Sequence, residues 1–221
     1  MNLNADLGEG ILHEKEIFPW INSCSIACGG HYGNANSILN TLILAIKYQV
    51  LPGAHPSYPD KTNFGRISIE MRKNEFQSSI RDQINLYFEV LTKLNLKNDH
   101  IKAHGALYND LAKNSNLAEW YLECVQEYPF NFLYLPPNSE IEKLAIRKNI
   151  PYLKEGFLDR NYDLDGSLVP RSQKNALIQN KKDLLIQFDK FEKENKFNTY
   201  CLHGDHPKIL EFLKILNLKN N

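Results

Sequence analysis

Histidines recur in one local setting along this chain: Gly29-Gly30-His31, Gly53-Ala54-His55-Pro56, Ala103-His104-Gly105 and Leu202-His203-Gly204-Asp205. Each stands where an apolar, strand-like run meets Gly or Pro. An imidazole titrates near neutral pH, so a group of them can hold, accept and release protons. Asp6 and Glu9 lie three residues apart across a Gly turn. That offset can bring both carboxylates to one pocket, one as a base toward water, the other to orient a ligand or protonate a leaving group. The plainer alternative has Asp6 accepting loop amides and Glu9 facing solvent.

Lys102 and His104 are two positions apart, so strand alternation puts them on one face with the lysine deeper. A buried amine needs an anion, which Asp6, Asp205 or a substrate carboxylate can supply. A salt bridge beneath the site is the structural alternative. Arg66, Arg160 and Arg171 fall in polar loops rich in Gly and Pro, and guanidinium suits bidentate capture of carboxylate or phosphoryl oxygens. His13 and His100 lack the strand-end setting, and His206 starts the last helix.

Metal chemistry is a rival. Cys24-x3-Cys28-x2-His31 has the look of half a zinc site, but no second compact pair completes it. Cys24 and Cys28 read as buried packing residues. An Asp6, His31 and His55 set is the more credible metal alternative. The catalytic assignment itself carries no metal ligand. The chain has no G-x-x-x-x-G-K-[ST] phosphate loop, no G-x-S-x-G elbow and no H-E-x-x-H. Gly8 and Gly10 lack the spacing of a dinucleotide fingerprint.

Elements that position these residues alternate along the chain. Leu3, Ala5 and Leu7 face one way and Asn2, Asn4 and Asp6 the other, the period of a strand. Further strands are expected over 25–28, 50–54, 100–103, 132–135, 153–158 and 199–202. Helices are expected at 14–22, limited by Pro19, after Asn34 or Asn36, and over 73–94, 107–112, 117–126, 139–147, 181–194 and 208–216. Ser139 and Glu142 are spaced as a capping box. Strands mostly followed by helices favour an α/β fold with a parallel sheet. An open doubly wound sheet concentrates chemistry at one switch point, whereas a barrel collects it from many strand ends. The polar residues end several strands, so an incomplete or distorted barrel is expected, as one domain over 1–221.

Composition narrows the classes. Lys plus Arg number 26 and Asp plus Glu 26, so no overall field draws the chain to nucleic acid or anionic lipid. No apolar run reaches the ~20 residues of a membrane span. The first residues do not read as a signal peptide. The four cysteines are too few for a disulfide framework, so a reducing cytoplasm is the simplest setting.

Seven segments occur in order: Leu3 to Glu9, Ile26 to His31, Gly53 to Asp60, Phe64 to Arg66, Lys102 to Asn109, Leu168 to Ser172 and Cys201 to Asp205. Together they make the chain resemble the family of the 5-oxoprolinase A subunit, also called LamB/YcsF, over nearly its whole length. The resemblance implies a distorted seven-stranded (β/α) TIM-like barrel of the glycoside hydrolase/deacetylase type. It implies ATP-dependent opening of 5-oxo-L-proline to L-glutamate together with subunits B and C, which handle the ATP. It places Asp6, Glu9, His31, His55, Lys102, His104, Arg171, His203 and Asp205 around the site. This chain departs from the family pattern at Ala5 (usually Cys), Gly30 (Phe), Tyr32 (Ala), Asn34 (Asp) and Ala103 (Pro), so the polar set stays while its packing shell changes.

On this reading Asp6, His31 or His55 takes a proton from water, and Arg171 and Lys102 hold substrate anions. His104 or His203 protonates the departing nitrogen. The rivals are a metal-dependent deacetylase or amidohydrolase acting alone, and a non-catalytic scaffold. A homo-oligomer is compatible with the sequence.

Overall fold

In the computed structural model, which describes residues 1–220, seven short strands pair in the order β1-β2-β3-β4-β5-β6-β7, and β7 returns to β1. The strands are β1 (Leu3–Leu7), β2 (Ser23–Ala27), β3 (Leu51–His55), β4 (His100–Ile101), β5 (Phe132–Leu135), β6 (Tyr152–Phe157) and β7 (Thr199–Cys201). Every pairing is parallel, and Leu3 opposite Tyr200 closes the ring. The doubly wound alternative is thereby excluded, and the barrel is closed rather than incomplete.

Helices α1 (Glu14–Ile17), α2 (Ala35–Tyr48), α3 (Lys73–Lys93), α4 (Gly105–Lys113), α5 (Ser115–Val125), α6 (Glu140–Arg147), α7 (Lys181–Glu194) and α8 (Ile209–Asn220) connect or follow the strands. The single helix expected over 14–22 instead divides at Phe18, where Pro19 enters a short 3₁₀ turn. Asn34 caps α2 by accepting from the amides of Asn36 and Ser37. Ser139 caps α6, but Glu142 accepts from the Asn138 amide rather than from Ser139. The expected box therefore reaches one residue farther back.

Two environments result from strand alternation. Leu3, Ala5 and Leu7 are buried in the apolar core with residues such as Ile38, Ile84, Leu107 and Phe212. The barrel interior is polar, and several of its groups pair with one another. Asn4 Nδ2 donates to Thr199 Oγ1 at 2.8 Å, Ser23 Oγ lies 3.1 Å from the Tyr134 hydroxyl, and His100 Nε2 lies 3.0 Å from Ser25 Oγ. Such pairing offsets the cost of burying these groups. His100 also stacks on Tyr134 with ring centroids 3.9 Å apart. It is part of the barrel filling, not of the site.

Gly53 sits opposite His100 in the β3–β4 register. A Cβ there would stand 2.5 Å from His100 Cε1, and a ring held between Ser25 and Tyr134 has no room to withdraw. Gly53→Ala should cost about 1–3 kcal/mol by overpacking. Urea unfolding would register this as a lowered midpoint, and an unchanged midpoint would show that the interior yields.

Candidate active site

The barrel's strand ends deliver the polar residues to one rim. Asp6 lies near the end of β1 and Glu9 just beyond it. His31 follows β2, His55 ends β3, Lys102 and His104 follow β4, and His203 and Asp205 follow β7. Ring centroids of His31 and His104 are 3.6 Å apart, those of His55 and His104 4.9 Å, and those of His31 and His55 5.6 Å. Three of the four strand-end histidines thus form one cluster. The fourth, His203, stacks on Phe157, whose ring also lies under the Lys102 ammonium.

Beneath the cluster Lys102 is buried and neutralised twice. Its Nζ donates to Asp6 Oδ1 at 2.8 Å and lies 2.9 Å from Glu155 Oε1, with Cys201 Sγ accepting at 3.2 Å. Burial opposes the charge of Lys102, but Asp6, Cys201 and Glu155 hold its pKa well above the ordinary value. Burial also opposes ionisation of Asp6, yet His55 and Lys102 keep its carboxyl well below the usual range. A carboxylate so held is a weak proton acceptor. The anions for Lys102 are therefore Asp6 and Glu155, not Asp205, and the ammonium is not left over for a substrate carboxylate.

Glu9 behaves oppositely. Burial, then the charge of Asp6, pushes its pKa up to about 7. Its Oε1 lies 3.0 Å from His31 Nε2 and 3.4 Å from His104 Nδ1. A carboxyl poised near neutrality beside two imidazoles can take up and release a proton under ordinary conditions.

The imidazole protons can be assigned from their partners. His55 Nδ1 faces the Lys102 carbonyl at 2.8 Å, and His104 Nε2 faces the Phe64 carbonyl at 2.9 Å. Carbonyls only accept, so both nitrogens donate. In the neutral rings the remaining lone pairs, on His55 Nε2 and His104 Nδ1, then point at each other across 3.0 Å. One shared proton or one cation resolves that contact. Burial, reinforced by neighbouring imidazoles, lowers the pKa of both His31 and His104 well below the ordinary value.

Metal-binding geometry is present in two overlapping groups: Asp6, His55 and His104, and Glu9, His31 and His104. The first fits a cation well, because each imidazole turns its N–H to a backbone carbonyl and leaves the other nitrogen bare. His31 Nδ1 is buried with no hydrogen-bond partner among the described residues. The rival set named from sequence thus changes membership. His104 replaces His31 beside Asp6 and His55. No cysteine joins either group; burial pushes the Cys28 thiol up to about 12.

Toward solvent, Asp205 is bound by two guanidiniums. Arg171 Nη1 donates to Oδ2 at 2.9 Å and Nη2 to Oδ1 at 3.2 Å, while Arg66 also donates to Oδ2. Arg160 is structural, donating to the carbonyls of Val169 and Ala176. His203 Nδ1 and its amide both donate to Asp159, which leaves Nε2 uncommitted. Asp6, Arg66, Lys102, His104, Arg171 and His203 all line one cleft of about 1150 Å³.

Sequence reasoning missed three contributors. Glu155 sits in mid-strand rather than at a strand end, although its alternation with Leu153 and Phe157 marks an inward position. Asp159 closes the same run. Phe64 contributes a carbonyl, which leaves no residue-type signature; its φ of 56° followed by Gly65 at 64° turns that carbonyl toward His104. The space beside Gly30 is filled by a side chain of α3. A Cβ at Gly30 would meet Gln83 Cδ at 2.6 Å, and Gln83 fills that space by bonding both backbone groups of Ser57.

A closed parallel barrel with carboxylates and imidazoles gathered at the carboxyl ends of its strands is a TIM-like barrel of enzyme type. The chain belongs to the LamB/YcsF family, whose model matches residues 1–220. It is 36% identical to the 5-oxoprolinase A subunit of Campylobacter jejuni subsp. jejuni over 99% of this chain and 94% of that protein. It is 32% identical to the protein of the same name from Vibrio cholerae serotype O1 over 96% and 94%. A crystal structure of a lactam utilization protein from Thermus thermophilus superposes with a TM-score of 0.88 at 27% identity, covering 100% of this chain and 97% of that one. This homology places the chain in an enzyme family. No helix among the described residues is long and apolar enough to cross a membrane.

Proposed function

We propose that this site hydrolyses the C–N bond of a small cyclic amide, with 5-oxo-L-proline as substrate and L-glutamate as product. The observation that carries the reading is Glu9, buried against His31 and His104 with its pKa near neutrality. Glu9 takes the proton from water as the oxygen adds to the lactam carbonyl carbon. The C–N bond then breaks, and His203, oriented by Asp159, protonates the ring nitrogen. Lys102 holds Asp6 ionised beneath the site, and Asp6 keeps His55 in place 3.4 Å away.

A lactam resists attack, so the ring is first activated by transfer of the γ-phosphoryl group of ATP to the lactam oxygen. Water addition and C–N cleavage then leave an acyl phosphate, which a second water hydrolyses to glutamate and phosphate. The relatives are named as one component of a multi-chain 5-oxoprolinase, and the chain has no Gly-rich phosphate loop. Subunits B and C are the proposed partners for that step. Mixed with those two proteins and ATP, the purified chain should release glutamate and phosphate from 5-oxo-L-proline. An assembled complex without turnover rejects the substrate assignment.

A second reading is favoured by the bare nitrogens of His55 and His104 facing each other beside Asp6: these three residues hold a divalent cation and the chain hydrolyses amides alone. A bound cation would polarise the amide carbonyl and lower the pKa of water. Equimolar metal found by elemental analysis, with amide hydrolysis that survives without partners or ATP and is lost on chelation, selects this reading over the first.

A further inference from the structure

The two ends of the cleft carry opposite charge. At the inner end two carboxylates, Asp6 and Glu155, share the single ammonium of Lys102. At the outer end two guanidiniums, Arg66 and Arg171, share the single carboxylate of Asp205. Both arginines line the same cleft as Asp6 and His104. Arg66, Arg171 and Asp205 all keep partial exposure, at 36%, 23% and 29%. The outer end therefore has cationic charge and guanidinium N–H groups to spare.

Arg66 is tied to the imidazole cluster through the chain itself. Its guanidinium lies over the Phe64 ring at 4.9 Å, and that ring packs edge-on against His31 and His104. The intervening Gly65 is wedged in place: its carbonyl accepts from the Ala106 amide at 2.9 Å, and a Cβ on Gly105 would stand 2.5 Å from that oxygen. The turn that sets His104 thus also fixes where Arg66 projects. Asp205 draws Arg66 and Arg171 together from loops far apart in sequence. Burial opposes its ionisation, but Arg171, His203 and Arg66 hold its pKa at about 2, so it remains an anion throughout the working range.

We infer that Arg66 and Arg171, aligned by Asp205, form a carboxylate clamp that binds the acidic group of the substrate. The clamp determines specificity for lactams that carry a carboxylate. An anion is repelled by Asp6 and Glu155 and held at the guanidiniums, so the uncharged amide of a small substrate is turned toward the inner end of the cleft. This inference rests on the lactam reading above. It adds Arg66 to the site and gives Asp205 a positioning role.

The test compares 5-oxo-L-proline with pyrrolidin-2-one, the same ring without the carboxylate. Binding is followed by NMR titration of the full chain, a method that reaches weak affinities. Wild type should bind the acid about 10- to 100-fold more tightly than the neutral ring, the range of charge-assisted hydrogen bonds. Arg66→Gln and Arg171→Gln should lose that preference while their affinity for pyrrolidin-2-one is unchanged. Arg66→Lys, which keeps the charge but not the fork, should fall between. In the assembled enzyme the Gln variants should lower kcat/KM for the acid about 10- to 100-fold. Equal affinity for both rings in wild type, binding of neither, or an undiminished preference in the Gln variants overturns the clamp. A preference that the variants abolish, in a complex with no turnover, upholds the clamp and removes the hydrolytic reading.

Discussion

Glu9→Gln is expected to lower turnover by about 10²- to 10⁴-fold with the barrel intact, the range associated with a lost general base. Gln keeps the shape of the side chain and its contact with His31 but accepts no proton. Burial and the charge of Asp6 raise the Glu9 pKa to about 7, so wild-type activity should climb with pH through that value as the carboxylate forms. In the variant this limb should vanish. Stability runs the other way. A carboxyl whose pKa is raised by folding stabilises the native state below its unfolded value, and that contribution is lost as pH rises through about 7. Glu9→Gln should therefore gain stability relative to wild type at pH 8, and the gain should shrink as pH falls through about 5.5 toward the unfolded carboxyl value. A variant with the wild-type pH–rate profile would remove Glu9 from the proton transfer.

The largest stability effect is expected from Lys102→Met. It strands Asp6 and Glu155 in the barrel interior without their shared ammonium. Breaking a buried pair by removing one partner costs about 3–5 kcal/mol. In wild type the folded pKa of Asp6 is depressed, so its stabilising contribution is present above the unfolded value and fades as pH falls through the folded one. In the variant the Asp6 carboxyl can escape the penalty by protonation. The loss should accordingly be greatest near pH 8 and shrink toward pH 5. Urea unfolding at the two pH values measures it, and an equal loss at both would mean that lost packing, not stranded charge, is responsible.

Much of this arrangement is legible in the sequence because barrel geometry converts strand ends into neighbours. His31, His55 and His104 are recognisable by their Gly and Pro settings, and these three meet. The alternation of Asn4 and Asp6 against Leu3 and Leu7 marks the inward face of β1. The boundaries of β2 are displaced: the expected strand over 25–28 begins at Ser23, because pairing with Asn4 of β1, which no local pattern announces, sets its start. Only His100 and Ile101 form β4, yet Lys102 and His104 continue its bonding through the carbonyls of Ala54 and Pro56. Their common face is thus legible although the strand itself is shorter.

What stays hidden depends on partners rather than residue types. Lys102 requires anions, but nothing in the sequence distinguishes Asp205 from Glu155, about 50 residues nearer along the chain. Arg160 resembles Arg171 in its setting and differs only in finding two backbone carbonyls. The role of Phe64 lies in its carbonyl, and a main-chain acceptor carries no mark in the sequence. Tautomers, and with them the facing lone pairs of His55 and His104, emerge only from coordinates.

The most direct test is glutamate release by the ATP-supplied complex, assembled in parallel with the wild-type chain and with Glu9→Gln. The account predicts steady ring opening of 5-oxo-L-proline by the first, rising through pH 7, and at most about one hundredth of that rate by the second at equal assembly. Comparable glutamate production by the two complexes would contradict it.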